Sequence, residues 1–271
     1  MPVITRDQAR IDYDVTGPRG APVVLLSNAL GTTRDLWARQ VPAWATDFRI
    51  VRYDTRGQGR SIAGDEPWTL ETLGTDALAV LDAVGAERAH VCGVSLGGLT
   101  ALWLGVHAPD RTDRLVLANT AARLGTPEMW SERIALVRAG RLDDIVDQAP
   151  LRWFTSSFCA REPETVAAFQ ASTRACDVEG YLGACAVLRD ADLSADLHLI
   201  TAPTLVVAGS QDPVTTVDDA RAIVEGVAGA RLLTLDAAHF SLVESSLEFN
   251  AAVRAFLDAS PGPPSWPMSV S

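Results

Sequence analysis

The chain has 271 residues, 48% of them hydrophobic and 21% charged, which allows a large core and one or two domains of roughly 100–200 residues each. A net charge of −11 repels phosphate backbones and argues against nucleic acid, while the absence of Lys excludes Schiff-base chemistry and a Walker-type phosphate loop. Cys92, Cys159, Cys176 and Cys185 show no C-x-x-C or Cys/His metal spacing, residues 1–10 lack an apolar signal core, and no run approaches a membrane span, so a reducing, cytoplasmic setting with no metal and no membrane is expected.

Residues 11–15 alternate as a strand does and end in Gly17-Pro18-Arg19-Gly20. The run 23–26 is continuously apolar, as in a strand buried on both faces. A polar loop follows over 27–33, then a short helix over 35–44 interrupted at Pro42, then a strand over 48–53. Residues 54–61, with two glycines, suit a tight, internally hydrogen-bonded loop in which Asp54 and Arg56 are structural. Thr69 caps a helix carried by Leu73, Ala77, Val80, Leu81 and Val84 and stopped by Gly85. A strand over 89–92, a buried helix over 99–104 and a strand over 115–118 continue the rhythm. Apolar strands separated by helices predict a mostly parallel sheet with helices on both faces.

From 123 to 192 no strand is evident. Helices are expected over 127–138, 143–149, 162–175 and 178–189. They read as a helical lid inserted over the carboxyl ends of the strands, or else as a separate helical domain. Strands over 204–208 and 231–235, a helix over 217–227 and a closing helix over 244–257 complete the pattern. The expected organisation is core over 1–122, lid over 123–192, core again over 193–259, and a Pro-rich disordered tail over 260–271.

Gly93-x-Ser95-x-Gly97 lies where the strand over 89–92 must turn sharply into a helix. Glycines there remove β-carbons that would collide, and the serine is presented as a nucleophile elbow; the plainer alternative is a Gly-rich turn with a solvated serine. A serine nucleophile needs a base and the base an orienting acid. Among His90, His107, His198 and His239, only His239 lies in a loop between strand and helix near the C-terminus, and it is the expected base. Asp212, in a turn directly after a strand, is the expected acid, with an Asx-turn ahead of Pro213 as its other role. Asn119 holds the other place from which an acid could come. The order Ser, Asp, His is the one α/β-hydrolases use. The oxyanion donors expected are the N–H of Leu96 and that of Ala29, with Leu30 as second choice. Trp130 and Trp153 line a pocket or pack the lid.

Several stretches together resemble the α/β-hydrolase superfamily and, within it, the 3-oxoadipate enol-lactonase family. They are Leu26-Ser27-Asn28-Ala29-Leu30-Gly31-Thr32, Tyr53-Asp54-Thr55-Arg56-Gly57-Gln58-Gly59-Arg60-Ser61, Cys92-Gly93-Val94-Ser95-Leu96-Gly97-Gly98, Ala118-Asn119-Thr120-Ala121-Ala122, Pro127-Glu128-Met129-Trp130, Arg152-Trp153-Phe154-Thr155 and Gly209-Ser210-Gln211-Asp212-Pro213. Ser27-Asn28, where most relatives carry His-Gly, and the sequence around Trp130 are the more telling. Leu96 in place of Met, and Phe240 and Leu242 where Leu and Asn are usual, depart from the pattern. The resemblance implies the α/β-hydrolase fold, a small carboxylate-bearing lactone as substrate, an acyl-enzyme on Ser95, and no metal or cofactor. An acidic protein needs a local cation for an anionic substrate, and Arg133, Arg189 and Arg34 are the candidates. Other readings are a carboxylesterase, a carbon–carbon bond hydrolase, a cofactor-free haloperoxidase-like enzyme and a non-catalytic small-molecule receptor.

Overall fold

The computed structural model describes residues 2–64 and 67–259. In chain order the elements are β1 (Val3–Arg6), β2 (Ala9–Thr16), β3 (Val23–Ser27), α1 (Val41–Trp44), β4 (Arg49–Tyr53), α2 (Leu70–Ala83), β5 (Ala89–Val94), α3 (Leu96–His107), β6 (Thr112–Ala118), α4 (Pro127–Arg138), α5 (Leu142–Asp147), α6 (Pro150–Trp153), α7 (Ser156–Arg161), α8 (Pro163–Arg174), α9 (Val178–Asp190), β7 (Thr204–Gly209), α10 (Val217–Gly226), β8 (Arg231–Leu235), α11 (Ser241–Glu244) and α12 (Ser246–Leu257).

The strands form one sheet in the order β1-β2-β4-β3-β5-β6-β7-β8, antiparallel at β1–β2 and β2–β4 and parallel elsewhere. β5 and β7 are buried at every position, as strands covered on both faces are. Their side chains still alternate between two cores. Val91 joins the cluster of Leu73, Leu99, Leu102 and Leu115, while Cys92 and Val94 join that of Trp37, Trp44, Phe48 and Phe249. The mostly parallel, doubly covered sheet is the fold the sequence predicts.

Four local differences have simple causes. β1 is a half-exposed edge strand whose pattern is too weak to read in four residues. The break in the first helical stretch falls before Val41 rather than at Pro42, which occupies the first turn of α1, where a missing N–H costs no helical bond. Six α-helices, not four, lie between β6 and β7: extended Phe154 separates α6 from α7, and Thr155 caps the latter. The closing helix is divided at Ser245 into α11 and α12. The expected Pro-rich tail lies outside the described residues.

The loop over 54–61 is held as the sequence suggests. Asp54 accepts the N–H groups of Arg34 (2.8 Å) and Arg60 (3.0 Å), and Arg56 makes a bidentate pair with Asp76 at 2.7 and 2.8 Å. The helical insert is stitched to the sheet edge at several points. Thr173 donates to the carbonyl of Gly31 at 2.9 Å, Gly57 and Gly180 meet backbone to backbone, and Arg39 pairs with Glu162 at 2.6 Å.

Candidate active site

The register of the sheet brings five loops to one edge. Ser27 pairs with Gly93, Val94 with Ala118, Ala118 with Val207, and Gly209 with Leu235. All five strands run the same way, so the residues that follow them, 28–30, 95, 119, 210–212 and 236–239, emerge together at the carboxyl edge, where open α/β sheets hold their sites.

Ser95 sits between β5 and α3 with φ 56° and ψ −117°, a conformation that costs a non-glycine residue about 1–3 kcal/mol. The backbone enforces it. The N–H of Ser95 donates to Ala118 (3.1 Å), and its carbonyl accepts the Leu99 N–H (3.0 Å) and the Thr120 hydroxyl (2.8 Å). The Ser95 side chain does not cap the helix. Gly97 is required here, since a β-carbon would lie 2.1 Å from the Ser27 carbonyl oxygen. That close approach seats the 28–30 loop against the start of α3.

Asn28, fully buried, donates to the Tyr53 carbonyl (2.7 Å) and accepts from the Trp37 indole (2.8 Å), which fixes the loop from within. The Ala29 carbonyl is taken by the N–H and hydroxyl of Thr32. Among the described residues neither the Ala29 nor the Leu96 N–H donates to a protein group. Both lie where the 28–30 loop meets the start of α3.

His239 and Asp212 meet at 2.8 Å, Nδ1 to Oδ2, with both side chains almost wholly buried. An ionised carboxylate only accepts, so Nδ1 carries the proton and Nε2 is the nitrogen left for chemistry. Oδ2 also accepts from the Thr215 hydroxyl (2.7 Å) and the Asn119 amide (3.0 Å), while Oδ1 accepts the N–H groups of Val214 and Thr215. Burial pushes the Asp212 pKa up, but His239, Thr215 and Asn119 together outweigh it and hold the carboxyl below the usual aspartate range. Asn119, at φ 44°, is itself fixed by the Ser241 hydroxyl at 2.5 Å. A β-carbon on Gly209 would fall 2.4 Å from the carbonyl oxygens of Ala237 and Ala238, so glycine there is what lets the His239 loop lie against the end of β7.

The other histidines stand apart. His90 is buried 3.3 Å from Asp113, His107 lies tilted against Trp103, and His198 is exposed. Among the described residues no group of three or more His, Cys, Asp or Glu could hold a metal ion, and no helix is long and apolar enough to cross a membrane.

Trp153 is buried and stacks on Phe240, beside His239, with centroids 5.4 Å apart. Trp130 is buried in α4, its indole donating to the Leu124 carbonyl. The three candidate cations separate clearly. Arg34 is buried and paired with Asp12, with Asp14 at 3.6 Å and with Asp54 at 3.8 Å, so its charge is already answered. Arg189 is partly exposed and forks onto its neighbour Asp190 at 2.7 and 2.8 Å. Arg133 lies over the Trp130 ring at 5.0 Å and, with Arg152, Glu132 and Asp144, lines a cleft of about 240 Å³ along α4, α5 and α6 that Ser95, Asp212 and His239 do not line, and among the described residues it has no ion pair.

Sequence reasoning missed Thr215, Ser241 and Glu244. Asn119, which the sequence marks by its place after β6 but which as an amide cannot be the acid, donates to Asp212.

A model of the alpha/beta hydrolase fold family matches residues 22–246. The chain belongs to the α/β-hydrolase family. This α/β-hydrolase is 38% identical over 254 residues to 3-oxoadipate enol-lactonase 2 of Acinetobacter baylyi, covering 94% of the chain and 95% of the relative. Its structure matches the crystal structure of the enol-lactonase from Burkholderia xenovorans LB400 with a TM-score of 0.93 at 38% identity, covering 95% of this chain and 100% of that one. A protein of Variovorax paradoxus that bears the name of a carbamate hydrolase, RutD, is 31% identical over 266 residues, covering 94% of the chain and 99% of the relative.

Proposed function

We propose that this α/β-hydrolase opens a small carboxylate-bearing enol-lactone, 3-oxoadipate enol-lactone to 3-oxoadipate, through an acyl-enzyme on Ser95. The observation that carries the reading is the Asp212–His239 pair at 2.8 Å on the same sheet edge as the strained elbow serine. Similarity to two enol-lactonases supports the substrate class.

In this mechanism Nε2 of His239 takes the Ser95 proton as Oγ attacks the lactone carbonyl. Asp212 holds the imidazole and stabilises the imidazolium that forms. The N–H groups of Leu96 and Ala29 receive the oxyanion, a donor pair in which each partner is typically worth ~2.7–4 kcal/mol. Collapse expels the ring oxygen, which takes the proton back from His239 Nε2 and leaves as an enol that tautomerises to the ketone, so the imidazole is again neutral. Water, deprotonated by His239, then releases the acid. The helical insert serves as the lid, with Trp153 and Trp130 in its walls and Arg133 as the cation for the substrate carboxylate.

The test is turnover of the enol-lactone formed from muconolactone against neutral p-nitrophenyl esters and simple carbamates. The lactone is expected to be the best substrate. Ser95→Ala is expected to lower kcat by more than about 10⁴-fold and to abolish labelling by a fluorophosphonate probe. Faster turnover of the neutral ester or of the carbamate overturns the substrate. A folded wild-type enzyme that neither labels nor hydrolyses overturns the chemistry.

A further inference from the structure

Both neighbours of His239 are tied to one short stretch of the helical insert. Glu244, at the end of α11, accepts the Ala238 N–H at 3.1 Å and the Thr155 N–H at 3.2 Å through Oε2. Its Oε1 accepts the Thr155 hydroxyl. On the far side of His239 the Phe240 N–H donates to the Trp153 carbonyl at 2.9 Å, and the two rings stack at an interplanar angle of 18°. The His239 loop therefore hangs between the sheet, which grips the imidazole through Asp212, and the insert, which grips the backbone on either side.

We infer that Glu244 is a positioning residue for the base. Its carboxylate fastens the His239 loop to residues 153–155, so the imidazole stands in place only while the insert is docked on the sheet edge. The inference rests on the reading of Ser95 and His239 as nucleophile and base. Asp212 at 2.8 Å and Thr215 at 3.4 Å hold Nδ1, but both grip one nitrogen and leave the backbone that carries the ring free to shift. The backbone anchors at Ala238 and Phe240 fix where the His239 Cα stands, and a misplacement of about 1 Å in such a group can cost a factor of ~10² in rate.

The chemistry of the bonds separates positioning from bulk stability. Glutamine can replace all three contacts: its carbonyl accepts the two N–H groups, and its amide donates to the Thr155 hydroxyl, whose role reverses. Alanine replaces none. The experiment measures kcat and KM on p-nitrophenyl acetate, and the rate of Ser95 phosphonylation by a fluorophosphonate, for wild type, Glu244→Ala, Glu244→Gln and Thr155→Val. Circular dichroism checks that each is folded. Glu244→Ala is expected to lower kcat and the phosphonylation rate by about 30-fold or more with KM within about threefold, and Glu244→Gln to restore most of the loss. Thr155→Val removes the hydroxyl bond to Glu244 together with the cap of α7 and the bond to Ser157, leaves Glu244 its two N–H partners, and is expected to lose kcat by about three- to tenfold. A folded Glu244→Ala enzyme with wild-type kcat, a glutamine variant no better than the alanine one, or Thr155→Val at wild-type kcat overturns the inference. Neither readout depends on the lactone. A wild type inert in both fails at the proposed chemistry and takes this inference with it, whereas an active wild type with indifferent variants sinks the inference alone.

Discussion

Each oxygen of Asp212 has its own duty. Oδ1 closes the turn onto the N–H groups of Val214 and Thr215, and Oδ2 receives His239, Thr215 and Asn119. The Asx-turn and the bond to His239, the two jobs the sequence offers Asp212, coexist in the geometry because a carboxylate offers four lone-pair sites. The Thr215 hydroxyl can be removed without loss of volume. Thr215→Val deletes one hydrogen bond to an ionised group, worth about 1.5–3 kcal/mol. The sign of its pH dependence follows from the lowered pKa. The stability that ionised Asp212 contributes is fully present above the unfolded value of about 3.9 and is lost as pH falls through the lower folded value. The variant raises that folded value, so its acid-unfolding midpoint is expected at higher pH than the wild type's, followed by circular dichroism. An unchanged midpoint sinks the claim. Ser95, Asp212 and His239 were legible because each stands directly after a strand, in an order that the fold uses. Ser241 and Glu244 were not, since Asn119 and Thr155 reach them only after folding, while Thr215, three residues from Asp212, hides as an ordinary turn residue.

Among the elements, legibility follows burial and length. β3, β5 and β7 are apolar runs bounded by Gly, Pro or polar residues, and the sequence places them to within a few residues. α6 and α7, with four and six residues, are too short to display a helical period, and their boundaries are set by Pro150, Thr155 and packing against Phe240. The loop after β4 depends on a buried ion pair rather than on apolar patterning. Arg56 and Asp76 are each at most 2% exposed, and Arg56 supplies both of its forked donors. Burial raises the Asp76 pKa, and Arg56 counters part of the rise. Arg56→Ala leaves that carboxyl uncompensated and is expected to cost about 3–5 kcal/mol in urea unfolding at neutral pH. Without the guanidinium the folded pKa climbs further above the unfolded one, so the penalty belongs to the ionised form. The loss is expected to shrink as pH falls and Asp76 takes up a proton. A loss below about 1 kcal/mol at neutral pH would show that solvent already reaches the pair.

At the scale of the whole molecule, a net charge of −11 and the anionic lactone proposed as substrate pull in opposite directions. The two effects have different ranges. Repulsion by the overall charge acts over a screening length of ~30 Å at 0.01 M salt but only ~8 Å at 0.15 M. The guanidinium–carboxylate contact proposed at partly buried Arg133 acts only at short range, and salt weakens such a contact far less. Raising salt from about 10 to about 150 mM is therefore expected to increase kcat/KM for the enol-lactone several-fold, by relieving the repulsion, and to leave a neutral p-nitrophenyl ester unchanged. Arg133→Ala is expected to raise KM for the lactone by about 10- to 100-fold, the equivalent of one charged hydrogen bond, with little effect on the neutral ester. In that variant the salt response persists from a lower baseline, because the long-range field is untouched. A wild-type kcat/KM that falls with salt would instead mean that a cationic entrance guides the lactone in, and the balance drawn here between global field and local cation would be wrong. Equal loss on both substrates in Arg133→Ala would reassign that arginine to the packing of Trp130 and Tyr181.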